Sequence, residues 1–176
     1  MTRSYKAQGI VLKRINFSEA DRLVTIFTKQ HGKLKLIAKG IRKPTSRKKG
    51  HLELFTHVKL QVAKTKSIDL ITEAETISSF SALRPNLNRV RIAYLFSELV
   101  DQLTPEAQEQ QNIYDLMLKN FTILNSKSAS KNFIANFEKS LLELLGFGLP
   151  SRHDQASLES HIYSIIEKPL NSKKIK

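Results

Sequence analysis

The chain of 176 residues contains no cysteine. Disulfides are therefore excluded, as is every thiolate metal site, a four-cysteine zinc centre included. The same absence suits a reducing compartment such as the cytosol. No apolar run approaches the roughly 18 residues of a membrane helix. The opening Met1-Thr2-Arg3-Ser4-Tyr5-Lys6 has no apolar stretch behind it, so no secretory signal is expected. Neither a Gly-x-Gly-x-x-Gly turn, nor a Walker phosphate loop, nor a Gly-x-Ser-x-Gly elbow occurs. Nucleotide hydrolysis and acyl transfer thus lack the geometry that those motifs supply. No internal repeat of about 20–50 residues is visible.

Acidic residues are also scarce, but only in one half. Residues 1–80 hold 17 Lys/Arg against 6 Asp/Glu, and residues 81–176 hold 12 against 10. Nearly all of the formal net charge of +13 therefore lies in the first half. A single-sign field of this kind bears on partners rather than on fold, and it points to an acidic polymer.

The basic half reads as five short strands. Residues 7–12 carry Ile10-Val11-Leu12, residues 23–28 are rich in β-branched side chains, and residues 33–38 alternate with Leu34, Leu36 and Ala38 on one face. On the other face of that strand stand Lys33 and Lys35. Residues 57–63 repeat the alternation, with Lys59 outward, and residues 68–77 close the set. Turns are expected at residues 16–21, at Gln30-His31-Gly32 and at residues 64–67, with Gly32 free to take positive φ. Strands of this length and spacing predict a small barrel or sandwich.

Residues 39–50 break the strand pattern. They hold Lys39, Arg42, Lys43, Arg47, Lys48 and Lys49 with no acid, and Pro44 and two glycines mark a loop. Such a loop either stays solvated or grips phosphates. The basic outward strand faces favour the second, because each phosphate neutralised releases counterions. Phe17, Phe27 and Phe55 are candidates for stacking bases, as aromatics do in small barrels. All three read first as core, since Phe in a strand or turn usually faces inward; Phe17 in its polar turn is the best platform of the three, and Tyr5 a weaker candidate.

From about Ser81 the period becomes helical. Ile92, Leu95, Phe96, Leu99, Val100 and Leu103 form one stripe between Pro85 and Pro105. Asn112 is expected to N-cap a second helix with Ile113, Leu116, Met117, Phe121 and Leu124. A polar linker, 126–130, precedes a third helix with Ile134, Phe137, Leu141, Leu142 and Leu145, stopped by Gly146. A last helix carries Leu158, Ile162, Ile165 and Ile166, followed by a basic tail. The fold class is therefore α+β, with a strand domain over 1–80 and a helical domain over 81–176.

Chemistry-bearing clusters are few. Glu73, Glu75 and the nearby Asp69 are the only candidates for a hydrolytic metal pair, and an outward acidic strand face explains them equally well. The five histidines lack the spacing of a zinc pair. No catalytic residue, no metal ligand and no cofactor is expected.

The order of features resembles a known family. Gly9-Ile10-Val11-Leu12, Ser18-Glu19-Ala20-Asp21-Arg22-Leu23-Val24-Thr25-Ile26-Phe27-Thr28, His31-Gly32-Lys33, Ala38-Lys39-Gly40-Ile41-Arg42-Lys43 and Leu54-Phe55-Thr56 are similar to the N-terminal region of the bacterial RecO proteins. Residues 138–147 resemble that family's Leu-Leu-x-x-Leu-Gly-Tyr segment, and Leu170-Asn171-Ser172-Lys173-Lys174 its closing motif. The resemblance implies a five-stranded OB-fold barrel followed by a helical domain. It implies a cytoplasmic, nucleoid-associated recombination mediator in DNA repair. Such a protein binds single- and double-stranded DNA, anneals strands, and with RecR helps load RecA onto strands coated by single-strand binding protein (SSB). The helical domain of the family takes the C-terminal tail of SSB. The positions matching its DNA contacts are Arg14, Arg22, Lys33, Lys35, Lys39, Arg42, Lys43, Arg47, Lys48 and Lys49. Two departures stand out. The cysteine-rich zinc module of many relatives has no counterpart here, and Pro150 passes almost directly to the last helix, which reads as an internal deletion. An OB-fold RNA-binding or translation-associated protein, a small metal-dependent nuclease using Glu73 and Glu75, and a helical adaptor are the alternatives that composition leaves open.

Overall fold

In the computed structural model, residues 3–127 and 129–174 are described. Met1 and Thr2, Ser128 of the polar linker and the last two residues of the basic tail lie outside the described residues. Two compact units are present, Met1–Phe80 with Pro105–Tyr114, and Ser81–Thr104 with Asp115–Lys176.

The first unit is a closed barrel of five strands: β1 (Ser4–Phe17), β2 (Asp21–Thr28), β3 (Gly32–Ala38), β4 (His57–Ala63) and β5 (Leu70–Ser78). Around the barrel the order is β1-β2-β3-β5-β4. All ladders are antiparallel except the β3–β5 closure, a parallel pairing of Ile37 with Leu70. This is the Greek-key connectivity of an OB fold.

β1 is long because it serves two partners, β2 along residues 9–17 and β4 along residues 4–10. A bulge between Val11 and Lys13 lets the strand turn from one partner to the other. Beyond the start of β4, the backbone of Val11 donates to Thr56 O (3.0 Å) and accepts from Phe55 N–H (2.9 Å). Gly9 is required where β1 crosses β2, since a Cβ there would lie 2.4 Å from Phe27 O. The interior is filled by Ala7, Val11, Val24, Ile26, Leu36, Val58, Leu60, Val62 and Ile71.

The segment between β3 and β4 closes the barrel end. Ile41 and Leu52, from the loop and its short 3₁₀ turn Lys49–Leu52, are buried in the same core. A loop with two apolar roots in the core is held in shape although its surface is polar.

The second unit holds α1 (Leu87–Leu103), α2 (Gln111–Ser126, from Asp115 on), α3 (Phe133–Leu145), α4 (Gln155–Ile166) and a final 3₁₀ turn, Asn171–Lys174. The Asn86 side chain caps α1 by accepting from Arg89 N–H, and Asp154 caps α4 through Ser157 N–H. Gly146 ends α3 in the left-handed conformation (φ 74°), and Phe147 N–H returns to Leu142 O at 3.1 Å. Phe96 and Phe137 stack with ring centroids 3.7 Å apart. The closing segment docks on α1, where Glu98 accepts from Asn171 N–H (2.7 Å) and Ser172 N–H (2.8 Å). One helix start differs from expectation. Asn112 is not the cap of α2, because Ile113 and Tyr114 already bond back to Gln110 O. No helix among the described residues is long and apolar enough to cross a membrane.

Candidate nucleic-acid interface

Five exposed cations of the barrel unit, Lys39, Arg42, Lys43, Arg47 and Lys49, lie on the loop after β3, which meets the β1–β2 turn. Three bonds lock these two pieces together. Gly40 N–H donates to Asp21 Oδ1 (2.7 Å), Arg42 N–H to Ala20 O (2.9 Å), and the Arg42 guanidinium to Glu19 O (3.0 Å). Arg42 remains exposed while spanning the turn. Lys39, Lys43, Arg47 and Lys49 are exposed as well, and among the described residues no ion pair or hydrogen bond engages their head groups. Arg22 stands across β1 from Asn16 and donates to its side chain at 3.4 Å. Glu19, Asp21 and Glu53 are acids at this end.

Four of the expected contact residues have other duties. Arg14 is half-buried, pairs with Glu53 (2.9 Å) and reaches Leu52 O, so it braces the loop. Lys48 donates to Ile71 O at 3.1 Å, and burial pushes its ammonium below the ordinary lysine range. It roots the loop on β5 rather than offering a surface charge. Lys35 is ion-paired with Glu106. Lys33 does not project into solvent as strand alternation suggests, for it is 6% exposed. The alternation is right about the face, but that face is covered. Ala107 N–H donates to Lys33 O (2.8 Å), and Glu106 bridges alongside Lys33.

The aromatics separate as strand geometry requires. Phe27 (0% exposed) and Phe55 (3%) are core, whereas Phe17 is 42% exposed at the end of β1. Ile15 shares its face of the strand and is also exposed. The β1–β2 hairpin thus presents an apolar ledge on one face, with Arg22, opposite Asn16, on the other. Tyr5 sits at the other end of β1, half-buried. Its hydroxyl donates to Asp69 (3.0 Å), and its ring meets His31 edge-on. Burial first and Asp69 second hold its phenol well above the ordinary tyrosine range.

Glu73 and Glu75 are exposed on β5, and no group of three His, Asp or Glu able to hold an ion is gathered among the described residues.

One group that strand and helix patterning missed lies in the helical unit. Glu138 is 1% exposed within α3. Its carboxylate accepts from Gln155 Nε2 (2.8 Å), which also reaches Glu159, and Glu159 pairs with Lys173 at 2.5 Å. Burial pushes the Glu138 carboxyl up to about 7, against the lowering effect of the Gln155 bond. Its signal was a carboxylate four residues after Ile134, inside an apolar stripe.

A closed five-stranded barrel with β1-β2-β3-β5-β4 order defines an OB fold, here with a basic loop over one end. Its family follows from comparison with known sequences. The family described as "Recombination protein O N terminal" matches residues 1–80, and "Recombination protein O C terminal" matches residues 84–161. The chain belongs to the RecO family. It is 37% identical over 145 residues to "DNA repair protein RecO" of Roseiflexus sp. (strain RS-1), covering 82% of this chain and 51% of that one. Identity to the protein of the same name from Symbiobacterium thermophilum is 35% over 144 residues, 81% and 57% of the two chains. The Synechocystis sp. relative is 35% identical over 146 residues, 83% and 54%. The chain spans about half the length of these curated relatives.

Proposed function

We propose that the chain is a non-enzymatic recombination mediator. Its barrel unit binds single- and double-stranded DNA by the phosphate backbone. Its activity is to bring complementary strands together and to help load RecA onto SSB-coated strands, with RecR and the SSB tail as protein partners, in the cytoplasm at the nucleoid. The observation that carries the reading is the set of exposed cations Lys39, Arg42, Lys43, Arg47 and Lys49 on a loop bonded to the turn that follows the exposed Phe17. The cations neutralise phosphates along one strand, which lowers the repulsion a second strand meets on approach. Phe17 supplies one stacking surface, and stacking tolerates any base.

The test leaves Lys48 in place, because it roots the loop. Lys39, Lys43, Arg47 and Lys49 are replaced together by Ala, and binding of a labelled single strand is followed by anisotropy across salt concentrations. Each phosphate contact on a single strand contributes a slope of about 0.7 in log affinity against log salt. The variant is expected to lose on the order of 100-fold in affinity at 0.1 M salt, with a slope flatter by about 3. Annealing of complementary strands, bare or SSB-coated, should slow in parallel. Unchanged affinity would remove the assigned face. An equal-length RNA competitor that wins at fixed salt would move the reading to RNA.

A further inference from the structure

Residues Pro105–Tyr114 belong to the barrel unit, although in sequence they lie between two helices. They form a strap. At one end Ala107 N–H bonds to Lys33 O and the Glu106 carboxylate pairs with Lys35. Contact with the β2–β3 turn is so close that a Cβ on Gly32 would lie 1.8 Å from Gln108 O. At the other end Ile113 and Tyr114 are buried, and the Tyr114 hydroxyl lies 2.7 Å from His57 Nε2 and 3.1 Å from Gln8 Nε2.

These two ends mark one row of the barrel. His57 pairs with Ile10, Ile10 with Phe27, and Phe27 with Lys33, so the four share the outer face across β4, β1, β2 and β3. The strap is pinned at both ends of that row, and all four residues are buried. In OB folds the β2–β3 face is where a strand of nucleic acid usually lies, its bases on aromatics and its phosphates on cations. Here the aromatic of that face, Phe27, is covered, and its two lysines are engaged by an element carrying Glu106 and Glu109.

We propose that Glu106 and its strap are a specificity element, a built-in acidic occupant that withholds the β2–β3 face from nucleic acid. The inference rests on the reading of the barrel as a DNA-binding unit. A strand is then confined to the loop side and held by its backbone, and its bases are left unread. Such a binding mode has little sequence preference and keeps the pairing edges open to a complementary strand.

The test changes the charge of the strap and not its fold, since the Glu106 side chain is 52% exposed. Glu106→Gln is expected to raise affinity for an oligo-dT strand about 3–5-fold at 0.1 M salt and to steepen the salt slope by about 0.7. Glu106→Lys should raise it about 10-fold or more, and Glu106→Asp should restore wild-type behaviour. A purely structural role for Glu106 would move the unfolding midpoint and leave the slope alone. If Glu106→Lys leaves affinity and slope at wild-type values while the four-cation loop variant still weakens binding, the strap idea is overturned and the loop-side reading stands. If the wild-type protein shows no salt-sensitive binding, the reading of the whole barrel falls and takes this inference with it.

Discussion

The barrel unit and the helical unit place their ionisable groups in opposite ways. The barrel keeps charge outside, on a loop whose apolar roots, Ile41 and Leu52, fix it over one barrel end. Of the two lysines on the outer face of β3, Lys33 is covered and the exposed Lys35 is paired with Glu106. The helical unit carries a smaller excess, 12 Lys/Arg against 8 Asp/Glu, yet it buries a carboxyl, Glu138, whose near partner is an amide rather than a cation. The difference teaches that net charge and electrostatic cost are separate quantities. The unit with the large excess carries it in water, where it is inexpensive and available to a partner. The unit with the smaller excess holds a carboxyl whose proton affinity folding raises.

The largest effect that sharpens this contrast concerns Glu138. Its folded pKa, about 7, lies above the ordinary value of 4.5. Between those two pH values the unfolded chain releases a proton that the folded chain keeps, so stability falls as pH rises from about 4.5 to about 7 and is flat on either side. Glu138→Gln keeps an acceptor for Gln155 and removes that loss. It should stabilise the protein by about 3 kcal/mol at pH 8 and by little at pH 4, read from urea unfolding at both. A gain independent of pH would point to packing instead.

A smaller effect belongs to the barrel. Phe17→Ala should cost about 10-fold in single-strand affinity, since one stacked base is worth about 1–3 kcal/mol. Duplex binding should be nearly unchanged, because paired bases are not offered to the ring. The stability should hold as well, for the ring is 42% exposed. Equal losses on both substrates would make Phe17 a structural residue.

The smallest effect tests the contrast itself. Lys119, Lys127, Lys131 and Lys168 are exposed cations of the helical unit, equal in number to those removed from the loop. Their joint replacement by Ala should change DNA affinity less than about 2-fold, as scattered charges neutralise few phosphates along one strand. A loss comparable with that of the loop variant would mean that total charge, and not its address, governs binding.

Much of this arrangement is legible in the sequence. Alternation places Leu34, Leu36 and Ala38 inside β3, and the helical stripes find Phe96 and Phe137, because each pattern is a property of one element. The loop cations are legible as composition. What escapes is whatever depends on two distant segments. Pro105 ends α1, and the polar residues after it read as a connection, so nothing local announces that they return to β3. The burial of Lys33 follows from that return and is equally invisible. Lys48 looks like its neighbours until its contact with Ile71 is known. Glu138 is the exception, a missed residue with a local sign.

The barrel closes through a single parallel pair, Ile37 with Leu70, and through the bond from Ile37 N–H to Asp69 O at 2.9 Å. The other seams have seven or more paired residues. Asp69 reinforces this one from the side by holding the Tyr5 hydroxyl and Thr65 N–H. A ladder with one rung is where a cylinder breathes first, so the Ile37 amide should exchange with solvent deuterium well ahead of those of Val24 and Ile26. The seam lies beside the root of the basic loop, since Ile71 O holds Lys48 two residues beyond Asp69. Opening it would slacken that loop without unfolding the barrel, and a bound strand that steadies the loop would register as slower exchange at Ile37.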